Sequence, residues 1–515
     1  MIFALTIYLV STKKLFKHQL TEELRSLPSL PVVQPSKNDM LLFGTAIAFR
    51  KDPIGFLNKQ REIYGDAFTL NLVNTKMHFF ISPAYQLAFF RLDDKVRYMY
   101  KTPVLALNNR SLFQMQKFSL DQAFYDRCPP FKIQGMTDKY SKLFLKLTAT
   151  ALNQPKMLHA YHPLMTDVVS ATIMEFTQSG TLDVFELTSS IAVKIAIVWI
   201  LGKQFYKAHA DDMVQLILQI EKDIASPLNS FFPGWPHPPC IRMQKAIETM
   251  FKWVSHEIKL RRMVNANAPV QCDLLQLLLN CHECNVLLEA DISRFMLTLF
   301  LAAHTNTAAN MGWTIYELAK HTHLQQRVRA EVVPTQTTES LDSDSTFTDF
   351  YPSSGTRNLE SHMPITTACI KETGRLYMKL LLLRKSLCDA QFGGYKILKG
   401  ELICISPGCV ALDSKLFEYP NVYNPDRWLP SNHKSTTSKP KIIPPMNMPQ
   451  FGIGKHHCLG ERVVLMAIKT IVLPELLRRF ECTLDSNEQI VIPDYFGSIS
   501  SPFPKHPIRI KVVPI

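Results

Sequence analysis

Three groups of residues could do chemistry by type and spacing. The stretch from Phe451 to Gly460 reads FGIGKHHCLG, with three glycines, two histidines and one cysteine in ten residues. Cys458 could act as a thiolate, or simply fill space as a small buried apolar side chain, the commonest fate of a free cysteine. Zinc fits poorly, because it takes four ligands, usually in pairs set two or more residues apart. His456, His457 and Cys458 are consecutive. A dinucleotide loop is excluded: Gly452-Ile453-Gly454 meets His457 where a third glycine belongs, and no strand clearly precedes it. The second group, Glu372 and Arg375, stands at i, i+3 in a helical pattern. Alone it signals a surface ion pair, since Glu22/Arg25 and Glu475/Arg478 repeat the spacing. The third is His304-Thr305-Asn306-Thr307, which interrupts the apolar centre of the segment from Leu287 to His321. Buried polar groups need partners, so the interruption marks a candidate site.

The elements that must hold these groups are mostly helical. From Asp138 onward a helical period dominates, and no proline occurs between Pro269 and Pro334. The apolar run from Phe295 to Ala303 is too short to span a bilayer, which takes about 20 residues. A long buried helix crossing the core is expected there. Gly65 to Pro83 alternates like a β-hairpin. Ser226 to Cys240 carries five prolines and reads as a non-helical loop with Phe231, Phe232 and Trp235 at its tip. Such a loop either packs on the core or dips into a membrane interface. Pro334 to His362 is a polar connection, and the lone Cys281-x-x-Cys284 pair lacks the second pair a zinc site would need.

Composition sets the limits. The chain has 515 residues, 46% hydrophobic, with 31 Phe, enough for a large core. Its 11 cysteines are odd in number and scattered, and no secretory cleavage pattern is present. Reduced thiols follow rather than a disulfide framework. The net charge of +13 suits an anionic lipid or an acidic protein. Nucleic acid is disfavoured, for there is no basic stripe interleaved with aromatics. Residues 1–12 form a short apolar segment of about 18 Å as a helix, against a hydrocarbon core of about 30 Å. Lys13, Lys14 and Lys17 then place the following chain on the cytoplasmic side. The expected organisation is a membrane-associated segment 1–12, a basic and proline-rich hinge 13–36, and one domain 37–515.

In order, Glu372-x-x-Arg375, Pro425-x-Arg427 and F-G-x-G-x-H-x-C-x-G resemble the signature of the cytochrome P-450 superfamily, the haem-thiolate monooxygenases. The resemblance covers roughly Pro28 to the C-terminus. Ala302-Ala303-His304-Thr305 resembles the family's oxygen-binding helix, with His-Thr where most members have acid-Thr. The resemblance implies a mainly α triangular-prism fold with a small β-rich lobe. It implies haem b with iron on the Cys458 thiolate, which donates electron density that favours O–O cleavage. Phe451, Gly452, Gly454 and Gly460 would shape the loop, and His456 and Arg384 would contact the haem propionates. The usual W-x-x-x-R propionate motif is missing, and Tyr140, Lys142 or Lys146 would have to replace it. Glu372, Arg375 and Arg427 would form a structural triad. Thr305 would bond dioxygen and His304 would shuttle protons. Electrons would come from NADPH through flavins of an acidic reductase docked near Lys455, His457 and Arg462.

Asp52 to Leu70 and Gly393 to Pro407 are similar to the sterol and oxysterol 7α-hydroxylase and prostacyclin synthase branch. That similarity implies a sterol or other lipophilic substrate, and an endoplasmic reticulum membrane location with the catalytic domain cytoplasmic. Two other functions stay open. One is a reductase-independent peroxide isomerase or dehydratase of the prostacyclin-synthase type, opposed by the retained His304-Thr305. The other is a non-enzymatic haem-binding protein.

Overall fold

Proline and aspartate mark where the helices begin. The computed structural model describes residues 26–34, 44–72, 75–92, 96–98, 138–226, 228–229, 235–263, 272–281, 289–333, 363–377, 381–386, 388–429, 450–454, 457–485, 491–495 and 501–515. Helix α1 (Asp138–Asn153) stops before Pro155, which takes the first position of α2 (Pro155–Phe176), where its missing N–H goes unneeded. Asp183 accepts the backbone N–H groups of Phe185 and Glu186 and opens α3 (Val184–Ala225). Helix α4 (Pro238–Met263) starts inside the proline-rich stretch expected to stay non-helical. Proline resists helix interiors but not the first turn. The remaining helices at the site are α5 (Glu289–Lys320), α6 (Pro364–Tyr377) and α7 (Glu461–Met466). The last runs on as a π-helix, Ala467–Val472, and a final turn, Leu473–Leu477.

Helix α3 bends at Gly202, where φ is 76°, a left-handed value that only glycine adopts freely. Arg261 of α4 braces the bend: it donates to the Leu201 carbonyl and pairs with Glu257 and Asp273, both at 2.7 Å. Val184–Ile224 is long and apolar enough to cross a membrane, but 94% of its most apolar stretch is buried inside the molecule. It is a core helix packed on α2, α4 and α5. Helix α5 stays helical through His304-Thr307, so the interruption seen in the sequence is one of polarity and not of backbone.

The smaller lobe is a five-stranded sheet. Its strands are β1 (Ala67–Leu72), β2 (Thr75–Phe80), β3 (Val96–Tyr98), β4 (Leu382–Ser386) and β5 (Leu402–Ile405), in the order β1-β2-β5-β4-β3. The β1–β2 pair is the expected hairpin, with Ala67 opposite Phe80. Strand β2 pairs with β5 in parallel, and β4 pairs antiparallel with both β5 and β3. Part of the expected hinge is docked here. Val33 N–H donates to Thr69 O at 2.9 Å, and Thr69 N–H donates to Pro31 O at 2.8 Å. A second, three-stranded sheet joins Thr181–Asp183, Arg509–Pro514 and Phe480–Leu484. The chain is mainly α with a small β-rich lobe. The segment 1–12, the hinge up to residue 25 and Pro35, Phe231, Phe232, Cys284 and Pro334 to His362 lie outside the described residues.

Candidate active site

The cysteine loop is closed by its own backbone. Cys458 N–H donates to Phe451 O at 2.8 Å, and His457 N–H donates to Gly454 O at 3.0 Å. The turn needs φ of 75° at Gly452 and 73° at Gly454, values that a side chain would strain. Gly460 is different. Its φ is −89°, and a methyl group there would sit 3.9 Å from Cys458 Sγ, an ordinary contact, so no clash demands glycine at 460. Cys458 keeps solvent-reachable surface although protein closely surrounds its sulfur, so the thiol faces an internal cleft. Burial pushes the thiol's pKa up, and the nearby Glu461 charge adds to this. The N–H groups of Gly460 and Glu461, which hydrogen-bond the sulfur, pull the other way.

Glu372, Arg375 and Arg427 come together. Arg375 forks onto Glu372 at 2.9 and 2.7 Å, and Arg427 Nε reaches the same carboxylate at 3.1 Å. Trp428 Nε1 and Asn424 N–H donate to it as well, at 2.9 and 3.0 Å. Phe417 lies beneath both guanidinium groups. Helix α6 also touches the cysteine loop, for a methyl group on Gly374 would meet the Gln450 amide at 2.4 Å.

The central helix presents two different faces. His304 is fully buried, with Nδ1 2.6 Å from Glu221 Oε1, and the Thr305 hydroxyl donates to that same oxygen. His304 Nε2 is buried without a hydrogen-bond partner among the described residues. Glu221 comes from α3. The Thr305 hydroxyl is therefore bonded toward α3 in this structure. Ala302 is exposed in mid-helix, and Asn306 is half-buried one turn on, on the same face. Ser501, fully buried, donates to Asn306 Oδ1 at 2.6 Å. Leu299, Leu301 and Ala303 of α5 and Leu459 of the cysteine loop pack on one core cluster, so both elements border a common apolar interior.

Other expected residues are placed less simply. Arg384, on β4, is 1% exposed, lies over the Phe89 ring at 4.5 Å and donates to Leu92 O at 3.2 Å. Lys146 is exposed on α1, while His456, Lys455 and the side chains of Tyr140 and Lys142 lie outside the described residues. Arg462 is half-buried: it donates to Asn153 O at 2.6 Å and ties α7 to the end of α1. His457 pairs with Glu461 at 2.8 Å. Glu221, Ser501 and Trp428 were not singled out from sequence, and Asn306 was marked only as part of the polar interruption, with no role of its own. An acid on the apolar stripe of Ile217, Ile220 and Ile224 was the only local sign of Glu221.

The sequence model named Cytochrome P450 matches residues 34–512. The chain belongs to the cytochrome P450 family. Among curated relatives, the lanosterol 14-alpha demethylase of Cunninghamella elegans is 22% identical over 92% of this chain and 91% of its own length. The cytochrome P450 monooxygenase pynD of Aspergillus niger is 24% identical, covering 87% and 85%. The sterol 14-demethylase of Arabidopsis thaliana is 22% identical, covering 86% and 84%. Among solved structures, the retinoic acid bound cyanobacterial CYP120A1 superimposes with a TM-score of 0.71 at 19% identity, over 95% of this chain and all of that one. This P450 is a monooxygenase, an enzyme of the haem-thiolate class.

The donor set fits that cofactor. A metal that binds the Cys458 sulfur displaces its proton, and the Gly460 and Glu461 N–H groups stabilise the resulting thiolate. Among the described residues no group of three or more His, Cys, Asp or Glu could hold a metal ion, and a haem iron needs only one thiolate from the protein. Cys458 would hold the iron, and the buried Arg384 would offer a cation to a propionate.

Proposed function

We propose that this P450 hydroxylates a sterol or a lipid of similar bulk, with electrons delivered from NADPH by a flavoprotein reductase. The observation that carries the reading is the Glu221–His304–Thr305 cluster. Haem on Cys458 supplies dioxygen activation when bound, and hydroxylation with dioxygen consumes protons as well as electrons. Rearranging a peroxide consumes neither. Glu221 retains 13% side-chain exposure and touches His304 Nδ1, while His304 Nε2 faces the interior. An imidazole that gains a proton at one nitrogen can release one from the other. Glu221 and His304 thus form a two-ended proton path, and Thr305 positions Glu221. Asn306 holds its place on the cleft side through Ser501 and can only lend a hydrogen bond, since an amide has no proton to give up near neutral pH.

The lipid class rests on the small, apolar side chains of the exposed Ala302 and half-buried Ala303 beside the polar cluster of α5, and on the sterol demethylases among the relatives. A location at the endoplasmic reticulum membrane, catalytic domain cytoplasmic, is supported by Lys13, Lys14 and Lys17. It is also supported by the exposed apolar side chains Leu228, Trp235 and Ile241 around the proline-rich stretch. The net charge of +13 and the half-buried Arg462 beside the cysteine loop support docking of an acidic reductase.

A peroxide isomerase is the second reading, and Asn306, an amide on the cleft side of α5, is what favours it. Product formed per NADPH oxidised, with reductase present, tests the first reading. Glu221→Gln keeps hydrogen bonds but removes the charge, and should divert most reducing power to hydrogen peroxide. A tenfold loss of coupling corresponds to about 1.4 kcal/mol between competing barriers. An unchanged ratio would sink the proton path, and turnover of a lipid peroxide without reductase would establish the isomerase.

A further inference from the structure

Glu317 is a buried carboxylate, 1% exposed, that the site above does not use. It lies on α5 and accepts the Tyr377 hydroxyl, while His321 Nδ1 stands 3.2 Å from its other oxygen. The Tyr377 ring lies on Trp313, with centroids 4.0 Å apart and planes 4° from parallel. Aromatic pairs usually prefer edge-on or offset contacts about 4.5–7 Å apart. This close parallel stack is held from outside: Trp313 Nε1 donates to Pro502 O at 2.8 Å, and Phe185 meets Trp313 at 5.0 Å with rings inclined 72°. Gly312 lets Phe185 in, since a methyl group there would come within 2.8 Å of its ring. Trp313 follows Thr305 by eight residues on the same helix, about 12 Å along the axis.

We propose that Trp313, Tyr377 and Glu317 form a relay that drains oxidising equivalents from the haem site when hydrogen peroxide attacks it. The proposal rests on the haem-thiolate reading. The Trp313 ring would give up one electron to the peroxide-oxidised site, and Tyr377 would refill that ring with one of its own. The Tyr377 O–H bond breaks as the electron leaves. Its proton passes to Glu317 Oε1, which becomes a carboxylic acid, and a neutral phenoxyl radical remains. One electron from the phenol would balance one oxidising equivalent of the peroxide, with no atom lost. Losing the proton first is closed to Tyr377, because burial and the adjacent Glu317 charge push its pKa far up. Losing it together with the electron is open, because the hydrogen bond to the acceptor is already made. His321, 28% exposed, stands beside Glu317, its Nδ1 3.0 Å from the Glu317 backbone carbonyl and 3.2 Å from Oε2.

The test uses haem-loaded protein mixed with hydrogen peroxide, frozen rapidly and read by electron paramagnetic resonance. The wild type should show a phenoxyl signal, lost in Tyr377→Phe and in Trp313→Phe. Glu317→Gln keeps the side-chain size while removing the base, and should lose the signal too. Loss of the Soret band under peroxide should be faster in all three. A wild type with no phenoxyl signal, or a Tyr377→Phe variant that keeps the signal and bleaches at the wild-type rate, overturns the relay. The same samples are first reduced under carbon monoxide. Absence of the thiolate band overturns the haem reading and the relay with it, whereas a normal band with an unaltered radical overturns the relay alone.

Discussion

Arg375→Ala should be among the most destabilising single changes at this site. The guanidinium is fully buried and donates to Glu372 twice, at 2.9 and 2.7 Å. It also donates to the carbonyls of Ala411, Pro420 and Val422, at 2.9, 2.5 and 3.2 Å. Removing one partner of a buried ion pair costs about 3–5 kcal/mol. Carbonyls left dry add about 1–3 kcal/mol each. Opposing this, Glu372 keeps Arg427, Asn424 N–H and Trp428, so the lower end of the range applies to the carboxylate itself. Against a domain stability of about 5–15 kcal/mol, the loss is a large fraction of the whole. Arg427→Ala is the control. It removes one 3.1 Å bond to Glu372 from a side chain that is 11% exposed, for about 1.5–3 kcal/mol. Arg375→Lys should behave nearly like alanine, because an ammonium cannot fork onto a carboxylate. Thermal unfolding and haem content measured on all three would rank them. If Arg375→Ala unfolds no earlier than Arg427→Ala, the argument from the buried pair is wrong.

Cys458→Ala should lose the red-shifted Soret band of the ferrous carbon monoxide complex, and a variant that keeps the band would take the sulfur off the iron. Burial pushes the Glu401 carboxyl up, but hydrogen bonds from His78 and Leu398 N–H, with the Lys76 charge, prevail and hold its pKa below the ordinary value. A carboxyl lowered in this way contributes stability above its unfolded pKa, about 4.3, which is lost as pH falls through the lower folded value. Stability measured downward from about pH 4.3 should therefore fall less steeply in Glu401→Gln than in the wild type, and parallel curves would refute the coupling. Deleting residues 1–27 should weaken membrane association without abolishing it, because Trp235 and Leu228 stay exposed on the remaining surface. Complete release into the soluble fraction would mean that the proline-rich stretch does not touch lipid.

The cysteine loop was legible in the sequence because its chemistry is local. Gly452 and Gly454 supply the left-handed turns, and the closing bond from Cys458 to Phe451 spans only seven residues. The core helix around His304 was legible for a similar reason: a long proline-free apolar segment has few other places to go. The pairing of Glu372 with Arg427 joins residues 55 apart, and only the ordered set of motifs singled it out from look-alike ion pairs. Tertiary structure alone decided the rest. Successive residues on a helix point about 100° apart. Sequence gave Thr305 and Asn306 as neighbours but not which of them turns to the cleft. Packing of α3 across α5 brings Glu221 from 84 residues away onto the Thr305 hydroxyl and leaves Asn306 on the face of Ala302. The same rotation that gives Thr305 its carboxylate partner on α3 sets Asn306 against Ser501.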